Sequence, residues 1–243
     1  MPRIVNNSLS YRSVRTLVVI PAYNEGKNLG IVLAGIHRVG GVDVVVVDDN
    51  SADDTIEVAL RYGITVLPLS VQLGAWGATQ TGIRYGLLNG YDVFVTMDAD
   101  GQHRSGDLPL LIDEVVGNGL DVVIGSCPGR GSRARKTAWW IFRRLSGLKL
   151  EDLTSGLKVY SREAACHLVK ADATIFDYQD LGVLLYLLEN KMKIREKNVA
   201  MGPRRDGKSR VFDSWLLVVK YMAQTLVLCL SMRISKGTPS HKM

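Results

Sequence analysis

Two aspartates separated by one alanine follow an apolar run in the segment VTMDADGQH, Val95–His103. If residues 93–97 form a β-strand, Asp98 and Asp100 leave its carboxyl end two residues apart, and in extended geometry both side chains point to the same side. Mg²⁺ and Mn²⁺ prefer oxygen ligands such as carboxylates, and Gln102 offers an amide oxygen as a third. The spacing fits a divalent-cation site, but an isolated pair of this kind is more often an ordinary Asx-rich turn, and the other strand ends must decide between the two.

Polar side chains also follow two other apolar runs. VVIPAYNEG places Tyr23 and Glu25 beyond the first run, and VVVVDDNSADDT places Asp48 and Asp49 beyond the second. The first loop lacks the glycine fingerprint of a dinucleotide site, which argues against a Rossmann enzyme. Histidines beside acidic turns usually form local hydrogen bonds, so His103 is predicted to do so and is left out of the catalytic set.

Short runs rich in Val and Ile alternate with longer amphipathic stretches. Strands are predicted for LVVI, VDVVVV, ITVLP, DVFVTM, LDVVIG and Lys193–Val199, and helices for Asn28–Val39, Asp53–Tyr62, Ala75–Asn89, Asp107–Asn118 and Tyr178–Glu189. This alternation predicts an α/β fold with a mostly parallel central sheet flanked by helices. Beyond Gly125, the loop CPGRGSRARK, a helix at WWIFRRLSG and a strand at GLKVY are predicted to elaborate the edge of the sheet.

The chain is predicted to divide into four segments: a polar extension at residues 1–15, the α/β domain at 16–211, an apolar or interfacial helix at 212–231 and a basic tail at 232–243. The apolar stretch Trp215–Leu230 is shorter than the roughly 20 residues of a membrane span, so it is interpreted as a core or interfacial helix. The first residues carry no secretory signal, and the cysteines have no disulfide or zinc spacing, so a cytoplasmic location is expected.

The composition narrows the class of partner. The chain has 243 residues, of which 47% are hydrophobic, and this is enough for one large α/β domain with a substantial core. The formal net charge of +6 suits nucleic acid, an anionic membrane surface or a phosphorylated substrate. Because the sequence contains no recognisable docking element for nucleic acid, no nucleic-acid partner is predicted.

Three strand ends that carry PAYNEG, DDNS and DADGQ, in this order, resemble the family-two glycosyltransferases, which use the GT-A fold. The resemblance continues through LGAWGATQTGIRYG, DVVIGS and DLTSGLKVYSREA to RRDGKSR, and covers residues 16–212. Within the family, the motifs are most similar to polyprenyl-phosphate mannosyl- and glucosyltransferases. The resemblance implies a GT-A domain and inverting transfer of a hexose from a nucleoside diphosphate sugar of the GDP-mannose or UDP-glucose type.

The resemblance also implies roles for individual residues. The nucleotide would be held by Pro21, Tyr23, Glu25, Val47, Asp49, Asp98, Ala99 and Asp100. Mg²⁺ or Mn²⁺ would be held by Asp98, Asp100 and Gln102. Arg204 and Arg210 would contact the phosphates, and with Asp100 they form the implied catalytic set. Asp48 is predicted to bond backbone amides instead, because only one of two neighbouring strand residues can face the site.

The chain departs from the family pattern at several positions. Cys127 follows IGS where the relatives usually have arginine, and Arg130 in the same loop is the nearest replacement. Lys158 stands where arginine is frequent, and Arg210 stands where lysine is usual; the second change keeps the charge and adds a planar fork for phosphate. If Cys127 marks a lost activity, the chain is a non-catalytic nucleotide-sugar binder, and this alternative stays open.

Two acceptors fit these motifs. A polyprenyl phosphate needs no protein base, because the second pKa of a phosphate monoester is about 6 and the group arrives ionised. A glycan hydroxyl needs a base, and Asp180 is the carboxylate nominated for that role. The basic stretch 130–144, with Trp139 and Trp140, has the composition of a membrane-interface element. The prediction is therefore a polyprenyl phosphate acceptor and peripheral attachment to the cytosolic face of a membrane, with the glycan hydroxyl as the alternative.

Overall fold

The computed structural model describes residues 14–130, 140, 143–144, 150–152, 154–174, 181–202 and 227. The strands are β1 (Thr16–Ala22), β2 (Asp43–Asp48), β3 (Thr65–Pro68), β4 (Val93–Thr96), β5 (Val122–Ser126), β6 (Lys158–Ser161) and β7 (Ile194–Asn198). The α-helices are α1 (Gly26–Val39), α2 (Thr55–Arg61), α3 (Gly74–Leu88), α4 (Leu108–Val116), α5 (Arg162–Leu168), α6 (Ala171–Thr174) and α7 (Leu181–Glu189). Short 3₁₀ helices occupy Ser105–Asp107 and Pro128–Arg130.

These strands form one sheet in the order β3-β2-β1-β4-β6-β5-β7. All neighbouring pairs are parallel except those that β6 makes with β4 and β5. The chain moves outward from β1 to β3 and then returns to place β4 on the other side of β1. In open α/β sheets, ligands bind at the carboxyl ends of the strands beside such a reversal. The topology therefore directs attention to the loops that follow β1, β2 and β4.

Helices cover both faces of the sheet and give the chain two hydrophobic cores. On one face α3, α5, α6 and α7 pack over Leu17, Val45 and Val47, and on the other α1, α2 and α4 pack over Val18 and Val46. A strand covered on both faces must be apolar on both sides, which explains the near-continuous valines of β2. The predicted α/β fold with a mostly parallel, helix-flanked sheet is confirmed.

Strand β6 corrects one expectation from the sequence. The segment after Gly125 was predicted to elaborate the sheet edge, but β6 lies inside the sheet and pairs antiparallel with both β4 and β5. Lys158, Val159 and Tyr160 are completely buried there. Strand order depends on pairing between distant segments, so a four-residue strand carries no local signal of its place in the sheet.

Helix α3 approaches the sheet closely because two of its residues lack side chains. A Cβ at Gly82 would collide with Val19, and one at Gly86 would collide with Phe94. From the same helix, the indole N–H of Trp76 donates to the carbonyl of Ala173 at 2.8 Å. Helix α3 therefore connects the sheet to helix α6.

Several predicted elements lie outside the described residues. These are the extension at 1–13, most of the helix at 139–147, the first residues of the helix predicted to begin at Tyr178, the basic loop after Gly202, all but Val227 of the helix Trp215–Leu230, and the basic tail. Within the part of the chain that is described, no helix is long and apolar enough to cross a membrane.

Glu114 joins α4 to the edge strand β7. Its carboxylate accepts hydrogen bonds from Lys197 Nζ at 2.6 Å and from the side-chain amide of Asn118 at 2.9 Å, and Arg195 lies 3.4 Å away. The hydrogen bond from Lys197 is the largest cause of a pKa for Glu114 below its ordinary value of 4.5, and the one from Asn118 adds to it. A lowered folded-state pKa stabilises the protein above the unfolded-state pKa, and this contribution is lost as the pH falls through the folded-state value.

We expect Glu114→Gln to lower the melting temperature at about pH 7 and to lower it less at about pH 3, where the wild-type carboxylate is also protonated. Calorimetry at both pH values measures the difference. Glu189→Gln, at the exposed end of α7, is the matched control. An equal loss at both pH values would show that the ion pairs of Glu114 are not its cause.

Candidate active site

The loops after β1 and β2 are fastened to each other. Two hydrogen bonds join the loops: Asn24 N donates to Ser51 Oγ at 2.8 Å, and Ala52 N donates to Asn24 Oδ1 at 2.7 Å. Asp53 accepts from the amide of Gly26, the first residue of α1, at 3.1 Å. Burial opposes ionisation of Asp53, but hydrogen bonds from Thr55 and Gly26 outweigh it and lower the pKa. Tyr23 and Glu25 therefore sit on a fixed loop.

Asp48 and Asp49 both bond backbone amides. Asp48 accepts from Ser51 N at 3.1 Å, as predicted, whereas Asp49 accepts from Leu73 N at 2.6 Å and Gly74 N at 2.9 Å. Asp49 thus holds the amino end of α3, a structural role that the sequence suggested only for Asp48. Burial raises the pKa of Asp49, and the two amide hydrogen bonds partly offset this effect.

The acidic motif is a turn and not the extended segment that was predicted. Strand β4 ends at Thr96, and the chain turns at Ala99 and Asp100. Asp100 Oδ1 accepts from Gln102 N at 3.0 Å, which closes the turn, and Gly101 adopts a positive φ of 75°. The argument that Asp98 and Asp100 point the same way because the chain is extended is therefore wrong. The turn still places both carboxylates at the carboxyl end of β4, where the switch in strand order occurs.

His103 was predicted to form local hydrogen bonds, and this prediction is wrong. Its side chain is fully buried, and neither ring nitrogen has a hydrogen-bond partner among the described residues. Nε2 lies 3.6 Å from Oδ2 of Asp98, whose side chain is 43% exposed. The histidine therefore packs beneath the acidic turn, next to a carboxylate that remains open to solvent.

The DLTSG segment lines the same edge from the side of β5 and β6. Asp152 is completely buried and accepts from Cys127 N at 3.2 Å. Glu196 on β7 in turn accepts from the amide of Asp152 at 2.7 Å. The loop that carries Cys127, where the relatives usually have arginine, is thus anchored through its backbone. Arg130 belongs to the same loop.

The basic segment near the carboxyl end begins beside the acidic turn. Met201 forms an antiparallel bridge with His103, and Gly202 N donates to the carbonyl of Gln102 at 2.8 Å. Arg204 and Arg210 themselves lie outside the described residues. GPRRDGKS, residues 202–209, also has the GxxxxGK[ST] spacing of a P-loop, and it follows strand β7 at the edge of the sheet.

The remaining residues of the predicted nucleotide site differ in exposure. Pro21, Tyr23 and Glu25 are partly exposed at the end of β1, and Glu25 accepts from the side chain of Asn28 at 2.8 Å. Val47 is completely buried in the core beneath α3, so the nucleotide contact predicted for it has no accessible side chain to use. Ala99 is also buried.

The oxygen ligands available at the acidic turn are of the kind that a hard divalent cation binds. Asp98 and Asp100 offer carboxylate oxygens, and Gln102 lies within the same turn, held by the backbone bond to Asp100. Neither at this turn nor elsewhere do the described residues contain a group of three or more His, Cys, Asp and Glu side chains that could hold a metal alone. Magnesium commonly uses one or two carboxylates and takes its other ligands from substrate phosphates and water, so this set suffices.

A pocket of about 400 Å³ opens at the opposite edge of the sheet. It is lined by His37, Tyr62, Tyr85 and Tyr91, among others, and the Tyr91 hydroxyl donates to Asp43 at 2.9 Å. Burial, followed by the hydrogen bond to Asp43, raises the pKa of Tyr91. None of the predicted site residues lines this pocket; those that the structure describes lie at the carboxyl ends of β1, β2 and β4.

Comparison with known proteins agrees with this geometry. The polyprenol monophosphomannose synthase of Mycolicibacterium smegmatis is 36% identical over 221 residues, which cover 82% of each chain. The undecaprenyl-phosphate mannosyltransferase of Micrococcus luteus is 37% identical over 163 residues, covering 60% of this chain and 66% of that protein. The crystal structure of glucosyl-3-phosphoglycerate synthase from Mycobacterium tuberculosis with Mn²⁺, UDP and glucosyl-3-phosphoglycerate superposes with a TM-score of 0.70, at 22% identity, over 96% of this chain and 83% of that one.

The sheet order and the structural neighbours define the GT-A fold. The profile of Glycosyl transferase family 2 matches residues 17–175. The chain belongs to this family, as the motifs at its strand ends predicted.

Proposed function

We propose that the protein transfers mannose or glucose from a nucleoside diphosphate sugar to a polyprenyl phosphate, with inversion, and that it requires Mg²⁺ or Mn²⁺. The observation that carries the proposal is the junction between the acidic turn and the basic segment. The bond from Gly202 N to Gln102 O lies two residues before Arg204. A diphosphate at this junction would meet a cation on one side and guanidinium groups on the other.

The cation would be held by Asp98, Asp100 and the Gln102 amide. When bound, it stabilises negative charge that develops on the leaving diphosphate. Mn²⁺ accompanies UDP in the structural neighbour from Mycobacterium tuberculosis, which supports a metal requirement in this fold. Arg204 and Arg210 would add preorganised positive charge to the same phosphates, so most of the catalytic effect is electrostatic.

The nucleotide would lie across the ends of β1 and β2. The fixed loop of Tyr23 and Glu25 offers an aromatic face and a carboxylate, which suit a base and its N–H groups. Pro21 begins the same loop. Asp49 would contribute from the end of β2 although it already accepts two amides, because each carboxylate oxygen can accept a second hydrogen bond.

A polyprenyl phosphate is the acceptor that the relatives support, since two of them are named for transfer of mannose to such lipids. The acceptor phosphate is ionised at neutral pH and can attack the sugar without a protein base. Trp140, 61% exposed in a helical stretch with the exposed Arg144, suits the interface of an anionic membrane. The protein would therefore act on the cytosolic face as a peripheral enzyme.

We expect the protein, incubated with membranes, Mg²⁺ or Mn²⁺ and radiolabelled GDP-mannose or UDP-glucose, to move label into the organic phase with one of the two donors. Release of nucleoside diphosphate should depend on added polyprenyl phosphate. Donor binding without any consumption would instead identify a non-catalytic binder.

Asp180→Asn distinguishes the two acceptor classes. Turnover should be nearly unchanged with a lipid phosphate, because that acceptor needs no base. Label that remains in the aqueous phase on a glycan, together with a large loss in the Asp180→Asn variant, would favour a glycan hydroxyl as the acceptor.

A further inference from the structure

Gly156 lies directly against the carboxylate of Asp98. A Cβ built on Gly156 would approach Cγ, Oδ1 and Oδ2 of Asp98 closer than 3.0 Å, a separation that real Cβ atoms essentially never show. These three Asp98 atoms are the heavy atoms nearest to that position. The absence of a side chain at residue 156 is therefore what leaves room for Asp98 in its observed orientation.

The backbone around Gly156 is held on both sides. Thr96 Oγ1, at the end of β4, donates to the carbonyl of Gly156 at 3.1 Å. The hydroxyl of Ser155 donates to the carbonyl of Gly125 on β5 at 2.6 Å. Because these bonds fix the segment to two strands, a side chain at 156 would displace the short Asp98 side chain more easily than the backbone.

Gly156 is not required for its conformational freedom. Its φ is outside the positive region that Gly101 and Gly119 occupy, so an alanine could adopt the same backbone. The constraint at this position is space beside a carboxylate and not a turn. A substitution there should therefore affect what Asp98 binds more than it affects folding.

We infer that Gly156 is a positioning residue for the donor site, and that it acts by allowing the Asp98 carboxylate to lie over the DLTSG segment in the orientation that holds the cation. This inference rests on the proposed function. Neighbouring groups that orient a ligand typically change metal affinity by about tenfold or more when they are altered. Gly156 achieves this orientation through the lack of a side chain.

The test is a double-mutant cycle of Gly156→Ala and Asp98→Ala. Binding of Mn²⁺ is measured from the electron paramagnetic resonance signal of the free ion, with GDP or UDP present. We expect Gly156→Ala to raise the dissociation constant for Mn²⁺ about tenfold in the wild-type background and to have no further effect when Asp98 is already alanine. Gly106→Ala, at an exposed glycine with open space around its Cβ position, should leave Mn²⁺ binding unchanged.

A crystal structure of the Gly156→Ala variant gives a second readout, independent of activity, and should show the Asp98 carboxylate displaced. An unmoved carboxylate, or the same loss of Mn²⁺ affinity in both backgrounds, would overturn the role of Gly156 alone. If the wild-type protein does not bind Mn²⁺ in the presence of GDP or of UDP, the proposed metal-dependent function fails, whatever the crystal structure shows.

Discussion

Replacing Asp100 by asparagine is expected to reduce turnover about a thousandfold while leaving the protein folded. The substitution removes one negative charge from the turn that is proposed to face the diphosphate. The turn itself should persist, because the asparagine side-chain oxygen can still accept the bond from Gln102 N that Asp100 Oδ1 accepts at 3.0 Å. Transfer of radiolabelled hexose to polyprenyl phosphate at saturating Mg²⁺ or Mn²⁺ measures the loss, and circular dichroism confirms the fold.

Asp43→Asn is the matched control for charge. Asp43 lies at the other end of β2, exposed, and its asparagine counterpart can still accept from the hydroxyl of Tyr91. Its turnover should stay within about twofold of wild type, since it is remote from the reacting groups. Unchanged turnover in Asp100→Asn with added cation would defeat the assignment of the metal to the acidic turn.

The local elements of this fold were predictable because their signals are local. The helix expected over Ala75–Asn89 forms over Gly74–Leu88, and the valine-rich run predicted as a strand forms β2, with both faces covered. A helical period of 3.6 and runs of β-branched residues are properties of a short window. Helix α5 was missed, although Ser161 caps it by accepting from Ala164 N at 3.2 Å, because the cap falls on the last residue of a strand.

The contacts that organise the site were not predictable in the same way. The sequence indicated three polar strand ends, and the structure places them along one edge of the sheet, as parallel strands require. The sequence contained no signal that Asp49 would accept hydrogen bonds from amides 24 and 25 residues away, or that Gly156 would lie against Asp98. Such contacts follow from strand order and loop path, and these are set by long-range packing.

The place of Asp98 and Asp100 shows where the sequence argument depended on an assumption. Both were expected at the end of β4, which is correct, but their shared direction was derived from an extended chain. The strand ends two residues before Asp98, and Gly101 allows the turn through its positive φ. A DG pair in the sequence favours a turn, and that signal outweighs the alternation that would continue a strand.

Removal of the Asp49 carboxylate is expected to destabilise the protein by about 2 kcal/mol, because Asp49→Ala leaves two helix amides without their acceptor. Leu73 N and Gly74 N, at the start of the 15-residue helix α3, both donate to Asp49, which is 3% exposed. Water has little access to replace these bonds. Asp49 also places negative charge at the positive end of the helix dipole, and alanine removes this interaction. The midpoint of urea unfolding, with Glu189→Ala at the exposed end of α7 as a control, measures the loss.

Asp49→Asn separates the structural role from nucleotide binding. Its carbonyl oxygen can accept one of the two amides, while its NH₂ group faces the other, so its stability should fall between that of wild type and Asp49→Ala. If Asp49 also contacts the nucleotide, donor affinity should fall in Asp49→Asn by more than its small loss of stability accounts for. An Asp49→Ala variant as stable as Glu189→Ala would show that α3 does not depend on this carboxylate.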